Sequence, residues 1–158
     1  MDTTSRPALT AESLVARGHK PPQARYAAMP EIQHELKVSA PRAKVITALT
    51  DRGALERWHG AIVSGGPQEW RLAYPQGPVF RWRVLEASAE RVCWRCVEGP
   101  GDSVGTQVSF VLSTADQDRT LIEFEHAGWL ANAAKFRKCN TLWALLLLRL
   151  QREAESAS

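Results

Sequence analysis

Glu31-Ile32-Gln33-His34-Glu35-Leu36-Lys37-Val38 alternates at every step, placing Ile32, His34, Leu36 and Val38 on one side of an extended chain and Glu31, Gln33, Glu35 and Lys37 on the other. This pattern predicts a strand with one buried and one wet face. Ser39-Ala40-Pro41 follows, with Ser39 or Ala40 near a cap and Pro41 suited to a first helical turn, so a helix is expected over Arg42 to Leu49. Thr50-Asp51 restarts capping for a second short helix that ends near Trp58, before Gly60.

Downstream, Glu69 to Tyr74, Val79 to Glu86, Arg91 to Glu98 and Val104 to Leu112 carry period-two character and are separated by turn residues, as in an antiparallel meander. A last strand, Thr120 to His126, collects Thr120, Ile122, Phe124 and His126 on one face and turns Glu123 and Glu125 to water. Asn132 to Glu153 then reads as a long helix. At about 100° per residue its apolar arc gathers Phe136, Cys139, Asn140, Leu142, Trp143, Leu146, Leu147 and Leu150. Lys138, Arg149 and Arg152 fall outside that arc, as do Leu145 and Leu148, two leucines available to a partner such as a second copy of the chain. The expected class is α+β: a curved antiparallel sheet of about six or seven strands wrapped around a long C-terminal helix, with two short helices after the first strand.

Upstream, residues 1–29 hold Pro7, Pro21 and Pro22 with few large apolar groups, so they read as a flexible arm in which Thr10 starts at most a marginal helix ending at Gly18. Residues 30–158 form the expected domain. The chain has 158 residues, 44% of them apolar, enough for one core. Twenty basic and 17 acidic residues interleave to a net charge of +3, which supplies no field for nucleic acid. Arg81, Arg83, Arg91 and Arg95 alternate with Trp82 and Trp94 and so belong to the opposite, solvated face. The N-terminus lacks the apolar stretch of a secretory signal, and Leu142 to Leu148 is far short of the roughly 20 residues of a membrane span. A cytoplasmic location is expected. Three cysteines make no complete disulfide framework. Cys93 and Cys96 share a Cys-x-x-Cys spacing, but on a strand that puts them on opposite faces, and no second ligand pair completes a metal site.

Strand, two short helices, meander and terminal helix occur in the order of the helix-grip fold. Ala40-Pro41 with Val45, Ala48-Leu49-Thr50-Asp51, Leu55 and Trp58 resembles the opening of the SRPBCC superfamily, the START-domain and polyketide-cyclase-like proteins. Gly105-Thr106-Gln107-Val108-Ser109-Phe110 resembles its penultimate strand. Thr120 to Trp129, with Cys139 and Trp143 in the last helix, is similar to the branch named for activators of a heat-shock chaperone ATPase. The resemblance covers Glu31 to about Glu153 and implies a cavity between sheet and terminal helix, used across the superfamily for lipids, sterols, polyketides and aromatic hormones. It implies no cofactor and no shared catalytic set.

Six tryptophans give a high aromatic load, and Trp58, Trp82, Trp94 and Trp143 fall on inward faces with Phe110 and Phe124. They either line a pocket or fill a core. His34 and His126 occupy otherwise apolar faces. If the first and last strands pair antiparallel, both approach one mouth of the cavity, where an imidazole titrating near neutrality can bind a ligand or move a proton. The plainer role is a histidine hydrogen-bonded in a core. Cys139 and Asn140 are set to meet a ligand's polar end. Three functions follow as expectations: binding of a small hydrophobic or aromatic ligand oriented by His126; a cyclase or dehydratase in which His126, with His34, transfers protons; and an interaction or stress-related accessory role using Leu145 and Leu148.

Overall fold

The structure, a computed structural model, describes residues 31–130 and 136–156; the proposed arm and the first residues of the predicted terminal helix lie outside them. The elements are β1 (Ile32–Val38), α1 (Arg42–Thr50), α2 (Arg52–His59), β2 (Ile62–Gly65), β3 (Glu69–Ala73), β4 (Val79–Ala87), β5 (Arg91–Glu98), a 3-10 turn at Gly101–Ser103, β6 (Gln107–Thr114), β7 (Thr120–Ala127) and α3 (Phe136–Ser156). One seven-stranded sheet results, in the order β1-β7-β6-β5-β4-β3-β2, with every neighbouring pair antiparallel. This is the α+β helix-grip architecture. The strand β2 is additional to the sequence reading, and β6 starts at Gln107 rather than Val104 because Val104 and Gly105 form a turn, with Gly105 at φ 90°.

Asp51 ends α1 and caps α2, its Oδ2 accepting from the Ala54 amide at 2.9 Å. Gly60 closes α2 in the left-handed region, at φ 67°. Ala54, Leu55, Trp58 and His59 form the buried side of α2, and the Trp58 indole donates to the Ala48 carbonyl at 2.8 Å, tying the two short helices together. Trp143, Leu147, Leu150 and Ala154 bury the inner stripe of α3. They meet a core that includes Ile32, Val38, Leu55, Trp94, Phe110, Ile122 and Phe124.

The opposite sheet face is charged. Arg81 pairs with Glu69 at 2.9 Å and Glu98 at 3.0 Å, and Arg91 with Glu86 at 3.0 Å, so these arginines are turned away from Trp82 and Trp94. Cys96 sits in the inner core, whereas Cys93 accepts from Gln107 on the outer side. At the β1 edge, Gln151 of α3 donates to the Lys37 carbonyl at 2.7 Å and Glu155 accepts from the Ser39 amide at 2.8 Å.

Candidate functional site

Between the sheet's inner face and α3 lies a recess of about 340 Å³. Phe80 and Trp82 of β4, stacked at 5.7 Å with their planes 8° apart, form one wall; Cys139, Leu142, Trp143, Leu145 and Leu146 of α3 form another. His59, Tyr74, His126 and Arg149 supply its polar groups. A wider groove of about 430 Å³ runs between Gln33, Glu35, Glu123 and Glu125, but it is carboxylate-lined and lies on the strands' wet side. Of the two, the recess beside α3 has the more apolar lining.

Of the residues singled out from sequence, Trp82, His126, Cys139 and Trp143 come together around the recess. Trp58, Trp94, Phe110 and Phe124 do not. They are buried behind it, with Trp94–Phe110 centroids at 5.4 Å and Phe110–Phe124 at 5.1 Å, and act as filled core. Asn140 is exposed on α3 rather than inward, because the buried stripe through Trp143, Leu147 and Leu150 is narrower than the arc read from periodicity. β1 and β7 pair antiparallel as expected, aligning Ile32 with His126 and His34 with Phe124. His34 is half-buried and stacks on Phe124 at 6.3 Å; it shares a sheet face with His126 but is not part of the recess.

His126 is 2% exposed and both of its ring nitrogens are engaged. The Trp143 indole, which can only donate, reaches Nδ1 at 2.9 Å, so the proton must reside on Nε2. Nε2 donates to Thr106 Oγ1 at 2.8 Å, and that hydroxyl donates to the Ser103 carbonyl at 2.6 Å. Burial pushes the imidazole pKa down to about 3, keeping it neutral. His126 therefore offers its ring to the recess and no nitrogen.

His59 differs. Its Nδ1 lies 2.7 Å from the Tyr74 hydroxyl, while the buried Nε2 has no hydrogen-bond partner among the described residues. Burial, and secondarily the charge of Arg149, lowers this imidazole to about 3 as well. Burial raises the Tyr74 phenol, with Arg149 acting in the opposite direction, so the pair stays uncharged at neutral pH. Arg149 donates from Nη2 to the Arg57 carbonyl at 3.0 Å and lies over Gly60, where an added Cβ would meet the guanidinium at 3.1 Å.

His59, Tyr74, Phe80 and Arg149 were not picked out from sequence. His59 follows Trp58 in the Ala54, Leu55, Trp58, His59 stripe, so extending α2 to Gly60 identifies it as inward. Arg149 carries no such signal.

No protein-family model and no curated protein sequence matches the chain. Solved structures do. An Aha1 dimer from Colwellia psychrerythraea is 30% identical, with 81% of this chain and 98% of that one covered at a TM-score of 0.68. CalU16 from Micromonospora echinospora is 23% identical over 80% of this chain and 76% of its own, at 0.62. DynU16, from the dynemicin biosynthetic locus, is 20% identical over 80% and 47%, at 0.66. The last two share the fold. The identity to Aha1 over almost the whole of that structure, together with the helix-grip topology, places this chain in the SRPBCC superfamily, in its Aha1-like branch.

Proposed function

We propose that the chain binds a small hydrophobic or aromatic molecule in the recess between sheet and α3. The observation that carries this reading is the pairing of stacked aromatic walls, Phe80 and Trp82, with a buried imidazole nitrogen of His59 that no described residue satisfies. A polar atom removed from water without a partner costs about 1–3 kcal/mol, and a ligand that supplies the partner recovers it. A proton-moving role for His126 gains no support, since both nitrogens are occupied within the protein.

Native mass spectrometry of the purified protein, followed by organic extraction, tests the reading. A stoichiometric lipophilic passenger is expected. No passenger, together with unchanged tryptophan fluorescence across a panel of aromatic and lipid ligands, would refute it.

Self-association is favoured by the outer leucines of α3, two of which, Leu142 and Leu145, also line the recess. Leu142, Leu145 and Leu148 are 46%, 56% and 50% exposed on one side of α3, and the similar Aha1 structure is described as a dimer. Sedimentation equilibrium should give a dimer that Leu148→Glu converts to a monomer; a monomer at all concentrations removes the idea.

A further inference from the structure

The recess has a direction. Its α3 wall runs from Cys139 to Arg149, ten helical steps or about 15 Å, and the hydrogen-bonded pair His59–Tyr74 lies within the electrostatic reach of Arg149 at one end of that wall. Arg149 forms no ion pair with a carboxylate among the described residues. Its neighbour Arg57 is already matched by Glu153, at 3.1 Å from Nε to Oε1 and 2.8 Å from Nη2 to Oε2, and among the described residues no acidic side chain lines the recess. The guanidinium is nevertheless held in place, by the Arg57 carbonyl and by the space that Gly60 leaves for it.

The His59–Tyr74 pair adds a donor whichever way its shared proton lies. If the phenol donates to Nδ1, the Nε2–H remains; if Nδ1–H donates to the phenol oxygen, the phenol O–H remains. Neutral carbonyls can accept from such donors too, but a carboxylate suits the pair best, since its charge complements the guanidinium and its two oxygens can accept from both groups at once. Resting on the binding reading above, we propose that the ligand is a small aromatic carboxylate, its ring between Trp82 and Trp143 and its carboxylate on Arg149 and the His59–Tyr74 pair. A neutral hydrocarbon would leave the Arg149 charge and the leftover donor without use.

Two probes of nearly equal shape, 2-naphthoate and 2-naphthamide, separate the charge from the ring. By tryptophan quenching and calorimetry, naphthoate should bind the native chain about tenfold or more tightly than naphthamide, the margin of a charge-assisted pair. Arg149→Gln, at an exposed position, should melt as the native chain does, remove that preference, and leave naphthamide within about twofold. Arg152→Gln, on the same helix, should leave both affinities unchanged and so exclude a general effect of positive charge. Equal binding of the two probes to the native chain, or an unchanged preference in Arg149→Gln, would overturn the carboxylate assignment while the binding reading stands. Failure of both probes to bind would likewise overturn the aromatic-carboxylate assignment, whereas the binding reading falls only on the passenger and ligand-panel tests above.

Discussion

His59 and His126 are both almost fully buried, both lowered to a pKa of about 3, and both beside Trp143, yet they are opposite in what they can offer. His126 sits in a closed chain from the Trp143 indole through Thr106 to the Ser103 carbonyl, every donor and acceptor used. Among the described residues His59 has one hydrogen-bond partner, Tyr74, and its buried Nε2 is left over. A saturated imidazole holds structure; a half-saturated one has something to give a ligand. Burial and pKa alone do not distinguish the two. The accounting of hydrogen bonds does.

The largest effect is expected from what the two histidines share. Each unfolded imidazole takes a proton below about pH 6.5, while the folded one resists until about pH 3. The unfolded state therefore binds more protons in that window, and stability falls as the pH drops through it, by several kcal/mol in all. Urea midpoints at pH 7, 6, 5 and 4 should decline steadily, and His59→Phe or His126→Phe should each reduce the slope. A flat profile would show that both take up protons without unfolding.

The next effect separates them. At pH 7, His126→Phe strands the Trp143 N–H and takes from Thr106 Oγ1 the donor it accepts from, and should cost about 2–4 kcal/mol, whereas His59→Phe strands only the Tyr74 hydroxyl and should cost about 1 kcal/mol or less. Equal losses would mean that the two histidines are equally saturated. Thr106→Val, which keeps the shape and removes the acceptor for His126 Nε2–H, should cost about 1–2 kcal/mol by denaturant unfolding. Smallest is Gly60→Ala: at φ 67° and against the Arg149 guanidinium, about 1 kcal/mol of stability should be lost, with naphthoate affinity falling alongside.

Much of this fold is legible in single residues. The alternation of Ile32, His34, Leu36 and Val38 fixes the register face of β1, and Asp51 marks the break between α1 and α2 that its side chain indeed caps. The strand Ile62–Gly65 is not legible, since only Val63 of its four residues is buried and Gly65-Gly66-Pro67 reads as a loop. The site is harder. Trp58 and Trp82 both fall on inward faces, and only three-dimensional packing decides that the space before Trp82 stays open while that around Trp58 is filled. The saturation of His126 depends on Thr106 and Trp143, 20 and 17 residues away. Arg149 lies outside the buried stripe of α3, and it reaches the recess because its long side chain can lie over a residue without a Cβ.

The contacts of Gln151 and Glu155 at the margin of β1 carry a consequence for aggregation. A sheet margin normally displays backbone groups that template the addition of a foreign strand. Here Lys37 O and Ser39 N–H are occupied by side chains from the last turns of α3, and the other margin, β2, is only four residues long. The terminal helix thus acts as a guard rail as well as a wall: if its end frays, the first surface uncovered is a strand margin with its hydrogen-bonding groups exposed, the form most prone to fibrous association.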